Sequence, residues 1–331
     1  MRKAALALTA VLVTSACGAQ IAPASTTPAS GYPVTVRNCG ADVRFDRAPS
    51  RVVANDIGIT EIMFALGLAD RMAGYTVDHG QDRGIASSPW RADFERVKRV
   101  AEDVALEPVQ GVNADMVFAG WNYGFRETTG FTPDRLRSLG IASYLLTESC
   151  RNGTGNQRGI MPPLEALYTD LRNLGTIFGV RDRADRLVEQ YQRQVAGFEA
   201  TLPAGARPKV FLYDDGIDQP LTSGRTAGPQ EIITRAGGVN VFADLNDSWT
   251  RVSWETVVRR SPDVILINDY GAGADESIEA KKRFLLSHPG LATVPAVRNQ
   301  RFFVLPYAAL VEGPRNPAAI VEFGRYLASV R

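Results

Sequence analysis

Leu106-Glu107-Pro108-Val109, running on to Asp115-Met116-Val117-Phe118, returns in pattern as Trp254-Glu255-Thr256-Val257, running on to Asp263-Val264-Ile265-Leu266. In both stretches a Glu stands early in a short apolar-periodic segment, and an Asp further on opens a β-branched run that reads as a strand. A second pair keeps the same order. Glu61-Ile62-Met63 leads to Gly67-Leu68, and Glu231-Ile232-Ile233 leads to Gly237-Gly238, each the pattern of a helix closed by glycine. The interval between the copies is too long for a solenoid repeat, so it predicts two lobes of similar build, each offering the same carboxylate.

Working outward, short β-branched runs alternate with helical patterns in both halves. Strands are expected at 51–54, 72–75, 116–119 and 142–146 in the first half, and at 209–213, 264–268 and 301–305 in the second. Helices are expected at 60–66 and 133–138. Between the halves, residues 164–178 and 182–202 are helix-patterned, the latter with Ala184, Leu187, Val188, Tyr191, Val195 and Phe198 at three- and four-residue steps. This alternation predicts an α/β protein: two lobes with mainly parallel, helix-covered sheets joined by one long α-helix, which would restrict hinge movement between them.

The first residues read as an export signal. Arg2-Lys3 give a positive start, residues 4–13 an apolar stretch too short to span a bilayer, and Thr14-Ser15-Ala16-Cys17 a cleavage site ending on Cys. A Cys there predicts a lipoprotein, acylated on Cys17. Residues 18–33 are uncharged up to the fold and rich in Ala, Ser, Thr and Pro, a disordered tether. The expected organisation is then a signal at 1–17, a tether at 18–33, an N-terminal lobe at 34–162, a helical linker at 163–203 and a C-terminal lobe at 204–331. Of three cysteines, Cys39 and Cys150 remain after Cys17 is committed to lipid, and in an oxidising compartment they are expected to pair. A hydrophobic content of 45% suffices for two cores, and a net charge of +1 argues against nucleic acid or another polyanion as partner.

The lipoprotein start, the run Glu-Ile-Met-Phe-Ala-Leu-Gly-Leu at 61–68, Ala-Asp-Met-Val at 114–117, Pro-Asp-Val-Ile at 262–265, Ala236-Gly237-Gly238-Val239-Asn240 and the long helix together resemble the binding proteins of ABC importers for ferric siderophores, haem and cobalamin. The resemblance covers residues 35–331. It implies ligand held between two lobes joined by one long helix, little closure on binding, and a Glu on each lobe that docks the membrane permease; Glu107 and Glu255 match those positions. The residues argue the same way. A permease dimer has a twofold axis, so a monomer engages both halves evenly only by offering the same group twice. Each Glu would also sit well in a first helical turn merely by complementing its dipole.

Open α/β sheets bind ligands at the carboxyl ends of their strands. That selects Asn55, Asp56, Tyr75, Trp121 and Tyr123 on the first lobe, and Tyr213, Tyr270 and Tyr307 on the second. Arg225, Trp249 and Arg251 fall in loop-rich segments between strands, and Arg beside Trp suits an anionic, aromatic ligand. With only two histidines, no metal site is expected. Haem held by a Tyr or by His79 stays open, as does cobalamin. No GxSxG, HExxH or phosphate loop points to an enzyme. The reading is an extracytoplasmic, membrane-anchored, monomeric lipoprotein without a cofactor of its own, carrying an iron chelate, most simply a ferric siderophore, to a permease dimer. A lipoprotein serving only as an envelope interaction module is the different-class alternative.

Overall fold

The computed structural model describes residues 31–153, 157–271 and 277–330. The expected signal, Cys17 and residues 18–30 of the expected tether lie outside them. The described chain opens with an antiparallel hairpin, β1 (Val34–Asn38) and β2 (Ala41–Phe45). There follow β3 (Val52–Asn55), α1 (Ile57–Ala65), β4 (Met72–Thr76), α2 (Asp82–Ala86), α3 (Arg91–Arg96), β5 (Arg99–Ala101) and α4 (Leu106–Gly111). The first half ends with β6 (Met116–Trp121), β7 (Gly124–Phe125), α5 (Pro133–Ser138) and β8 (Ala142–Leu145). These strands form a parallel sheet in the order β5-β4-β3-β6-β7, with β8 on β6.

Two helices then run between the sheets, α6 (Pro163–Ile177) and α7 (Arg181–Glu199), the latter about 28 Å long at 1.5 Å per residue. The second half is β9 (Lys209–Tyr213), β10 (Leu221–Ser223), α8 (Gly228–Arg235), β11 (Val239–Asn240), β12 (Trp249–Arg251), α9 (Trp254–Arg260) and β13 (Val264–Asp269), then α10 (Ile278–Ser287), α11 (Pro295–Arg298), β14 (Phe302–Pro306), α12 (Tyr307–Leu310) and α13 (Asn316–Ser329). Its parallel sheet runs β11-β9-β13-β14, while β10 and β12 pair as a separate antiparallel ribbon. The expectation of two helix-covered parallel sheets holds. All of β3 and β6 is buried, as a sheet covered on both faces requires.

The repeated motif has a common structural job. Asp115, just before β6, accepts hydrogen bonds from the backbone N–H groups of Ser50 and Arg51, both at 2.9 Å, at the entry to β3. Asp263, just before β13, accepts from the N–H of Lys209 at 2.8 Å, at the entry to β9. In both halves the Asp locks the register of two neighbouring parallel strands where a ladder would otherwise fray. The paired helices also end alike: Gly67 (φ +66°) and Gly237 (φ +87°) take the left-handed conformation. The next N–H then bonds back five residues, Leu68 to Met63 at 3.0 Å and Gly238 to Ile233 at 2.8 Å.

Cys39 and Cys150 form a disulfide across 111 residues, tying the first hairpin to the chain after β8. On the chain-entropy account such a loop closure stabilises by about 4 to 5 kcal/mol. The largest apolar cluster is shared by both halves. It joins Val52, Phe118 and Leu146, Leu167, Leu174, Val188 and Val195 of α6 and α7, and Val210, Leu266, Ile320 and Phe323. α6 packs on β1 and α8, and α7 on α6 and α13, so the helix pair is cemented to elements from both sides.

Candidate ligand-binding cleft

A cavity of about 610 Å³ opens at the carboxyl ends of β3, β4 and β6. The end of β3 delivers Asn55 and Asp56 to it. Asn55 is fixed from two sides: its Oδ1 accepts from the Thr76 hydroxyl at 2.8 Å, and its Nδ2 donates to the Tyr123 carbonyl at 2.7 Å. Tyr123 lies flat over the chain at Gly120, where any Cβ would overlap its ring. Asp56 caps α1 by accepting from the Gly58 N–H at 2.8 Å. It does so at φ +81°, ψ +151°, a conformation that costs a residue with a Cβ of order 1–3 kcal/mol. Surrounding contacts hold it there, chief among them Tyr307, whose hydroxyl donates to Asp56 Oδ2 at 2.7 Å across the seam between the halves.

From Tyr307 a chain of polar and aromatic contacts runs into the second half. Tyr307 stacks on Tyr270 at 5.0 Å between centroids, and the Tyr270 hydroxyl donates to buried Asp214 at 2.8 Å. Asn268 also donates to Asp214, while the Lys281 ammonium donates to the carbonyls of Asp214 at 2.5 Å and Asn268 at 2.8 Å. Burial lifts the Asp56 carboxyl to about 6, against the opposing pull of the Tyr307 and Gly58 hydrogen bonds. The Tyr307 hydroxyl is pushed well above its usual range, first by burial and then by the Asp56 charge.

Behind Tyr123 lies a group of acids that sequence reasoning missed. Glu148, Glu312 and Asp170 are all buried. The Glu148 N–H donates to Glu312 Oε2 at 2.8 Å, and Asp170 accepts from the Tyr144 hydroxyl at 2.6 Å and the Thr147 N–H at 2.8 Å. Glu148 faces Arg158, Tyr123 and Trp249, and burial lifts its carboxyl to about 7 against the Arg158 charge. Burial also raises both members of the buried pair Asp170 and Glu312. A second buried contact crosses the halves: Arg315 grips Glu61 through Nε to Oε2 at 2.7 Å and through a shorter Nη2 bond to Oε1, and the Ser88 hydroxyl donates to the same carboxylate at 2.6 Å. The only signal for these groups in the sequence is an acid inside an apolar period, as Asp170 is within α6.

A family profile for periplasmic binding proteins matches residues 52–309. The chain belongs to that family. The binding protein is 22% identical, over 88% of its length and 84% of the relative's, to an uncharacterised ABC transporter substrate-binding lipoprotein, YvrC, of Bacillus subtilis. A periplasmic binding protein of Veillonella parvula superposes with a TM-score of 0.74 at 25% identity, covering 88% of this chain and 96% of that one. The structure of an ABC-type Fe3+-hydroxamate transport system from Saccharomonospora viridis gives 0.73 at 22% identity, covering 89% and 99%. The protein is thus an extracytoplasmic binding protein of the type that serves ABC importers, and not an enzyme.

Of the residues singled out in the sequence, Asn55, Asp56, Tyr123 and Tyr307 line the cavity of this binding protein, and Tyr270 backs Tyr307. The others are placed elsewhere. Tyr75 packs edge-on to Phe94, with Arg99 over its ring. Trp121 is buried, with the Arg151 guanidinium 3.9 Å from its ring centre. Tyr213 is buried among Phe211, Trp254 and Phe284. Trp249 sits beside Glu148. Arg225 and Arg251 are exposed, donating to Asn246 Oδ1 at 3.0 Å and to the Gln219 carbonyl at 2.9 Å. Of the residues selected at strand ends, Asn55, Asp56, Tyr123 and Tyr307 reach the cavity, while Tyr75, Trp121 and Tyr213 pack elsewhere; those selected from loop composition do not line it.

Glu107 and Glu255 are exposed in the first turns of α4 and α9. Each helix precedes a parallel strand, so both N-termini lie on the side of the sheets where strands end and the cleft opens. Ala105 and Leu106, just before Glu107, belong to the cavity wall. Hydrogen bonding to its own N–H and to the Ser253 hydroxyl holds Glu255 below the usual range, so it is charged at neutral pH. Among the described residues no group of three or more His, Cys, Asp or Glu is placed to hold a metal ion, and no helix is long and apolar enough to cross a membrane.

Proposed function

We propose that this protein is a lipoprotein, anchored through Cys17 on the outer face of the cell membrane, that captures a ferric siderophore between its lobes and presents it to an ABC importer permease. The observation that carries the reading is the 610 Å³ cavity at the strand ends, walled by Asn55, Asp56 and Tyr123 and closed at the seam by Tyr307. Its volume suits a compact chelate rather than the much larger cobalamin. The likeness to the Saccharomonospora structure of an ABC-type Fe3+-hydroxamate transport system supports the same class of cargo. The protein acts as a monomer, and Glu107 and Glu255 meet the two halves of the permease.

Two measurements test it. Isothermal titration of the purified full-length protein in detergent against ferric trihydroxamates is expected to give saturable, one-to-one binding; heat from no chelate in a broad panel rejects the capture role. Uptake of the bound chelate by cells lacking the native protein is expected to collapse in the Glu107→Lys, Glu255→Lys double variant while affinity in vitro is kept, because like charge set against permease arginines adds repulsion to lost pairing. Undiminished uptake removes the docking role.

A further inference from the structure

We infer that the cleft selects its cargo by charge, accepting a neutral or cationic chelate and rejecting polyanions such as tricatecholates and the propionate-bearing haem. The inference rests on the reading that the cleft holds an iron chelate. Among the described residues the cavity wall carries four carboxylates, Asp56, Asp78, Glu102 and Asp103, against two guanidinium groups, Arg126 and Arg135, a formal balance of 2 − 4 = −2.

The nearby cations do not reverse this balance. Arg99 stands behind the acidic wall but spends its charge on Asp82, to which its Nη2 donates. His79 lies 3.6 Å from Glu102 and 3.2 Å from Asp82 and is not among the residues lining the cavity. Arg158 sits behind Tyr123 and is faced by Glu148. Arg225 and Arg251 of the second half, singled out in the sequence, bond to Asn246 and Gln219 outside the wall.

The acids and bases of the wall also come from different loops. Asp78 follows β4, and Glu102 and Asp103 follow β5, whereas Arg126 and Arg135 flank the turn between β7 and α5. The wall is therefore polarised. A trihydroxamate fits this pattern: its metal-bound oxygens are acceptors for Arg126 and Arg135, its methylene arms pack on Tyr123, Phe131 and Tyr307, and an ammonium on one arm finds Asp78, Glu102 and Asp103. A triply charged catecholate would bring its anion against a wall already in excess of negative charge, in a cleft where partial burial weakens screening.

The test compares chelates of the same metal and similar size. Purified full-length protein is titrated with ferrioxamine B, whose free arm carries an ammonium, with ferrioxamine E, the neutral ring bearing the same three hydroxamates, and with ferric enterobactin and haemin. Ferrioxamine B is expected to bind tighter than ferrioxamine E by roughly fivefold, the scale of one partly exposed ion pair. The gap should shrink as salt rises, and the two anionic ligands should bind far more weakly than either hydroxamate. The Glu102→Gln, Asp103→Asn double variant should bring the B and E affinities together. Equal affinity for B and E in the parent protein, or a gap untouched by the double variant, overturns the role of the acidic wall. Tighter binding of enterobactin or haemin overturns charge selection while leaving chelate capture standing; binding of none of the four overturns both.

Discussion

The two lobes are built on one plan and used unequally. Both carry a Glu in the first turn of an equivalent helix, an Asp that locks two strands together, and a helix closed by left-handed glycine. Yet among the described residues every one lining the cavity belongs to the first half except Tyr307. The difference lies at the ends of matching strands. After β3, Asn55 is held by Thr76 and Tyr123 in a way that leaves the space in front of it open. After β9, Asp214 is wrapped by Asn268, Tyr270 and Lys281, so the corresponding corner is filled by the protein's own side chains. A shared backbone thus fixes where a site can be, and a few side chains at strand ends decide which lobe has it.

The paired helices α1 and α8 give the largest expected contrast. Glu61 and Glu231 match in the repeat, but Glu61 is fully buried against Arg315, whereas Glu231 makes a half-exposed pair with Arg235 one turn on. Glu61→Ala leaves a buried guanidinium uncompensated and should cost about 3 to 5 kcal/mol. Glu231→Ala should cost about 0.5 kcal/mol or less. Chemical denaturation of both variants checks this, and comparable losses would show that the two lobes use the motif alike after all.

Next in size is the response of the seam to pH. Asp56 and Glu148 have folded-state values raised to about 6 and about 7 by burial. The folded protein therefore holds protons that the unfolded chain has released, and the stability these groups contribute is lost as pH rises from about 4 through 7. Glu148→Gln removes its share, so the variant should gain on the order of 1 to 3 kcal/mol over the parent at pH 8 and show little difference at pH 4.5. Thermal melts at the two pH values measure it, and a variant destabilised equally at both would mean that Glu148 is ionised and needed as an acceptor. Smallest of all is the effect expected at the rim of the second lobe. Arg251→Ala should leave chelate affinity within about twofold, since Arg251 is exposed and bonded to Gln219; a clear loss by titration would extend the site across the seam.

What was legible in the sequence follows from the range of the forces involved. β9 and α5 fall where the periodicity puts them, and β4, β6 and β13 begin where expected, because β-branched runs and turn residues act locally. Edge elements such as β5 and the ribbon of β10 and β12 escaped, being three residues each with no apolar period of their own. In the site, the rule of strand ends found Asn55, Asp56, Tyr123 and Tyr307. It could not find Asp78, Glu102, Asp103, Arg126 or Arg135, whose arrangement depends on loop paths. Nor could it find Glu61 with Arg315, whose contact joins positions 254 residues apart, since a carboxylate in sequence reads as a surface group until its partner is known.

The apolar cluster that runs through α6 and α7 into both sheets bears on how the permease is informed. Lobes welded through a common interior are expected to melt together and to have few soft modes between them, so a large swing of one lobe toward the other on binding is not expected. The spacing between Glu107 and Glu255 is then expected to be nearly the same with the cleft full or empty. On the proposed docking role, empty protein is expected to compete with loaded protein for the same surface of the permease, and throughput to depend on the ratio of the two populations.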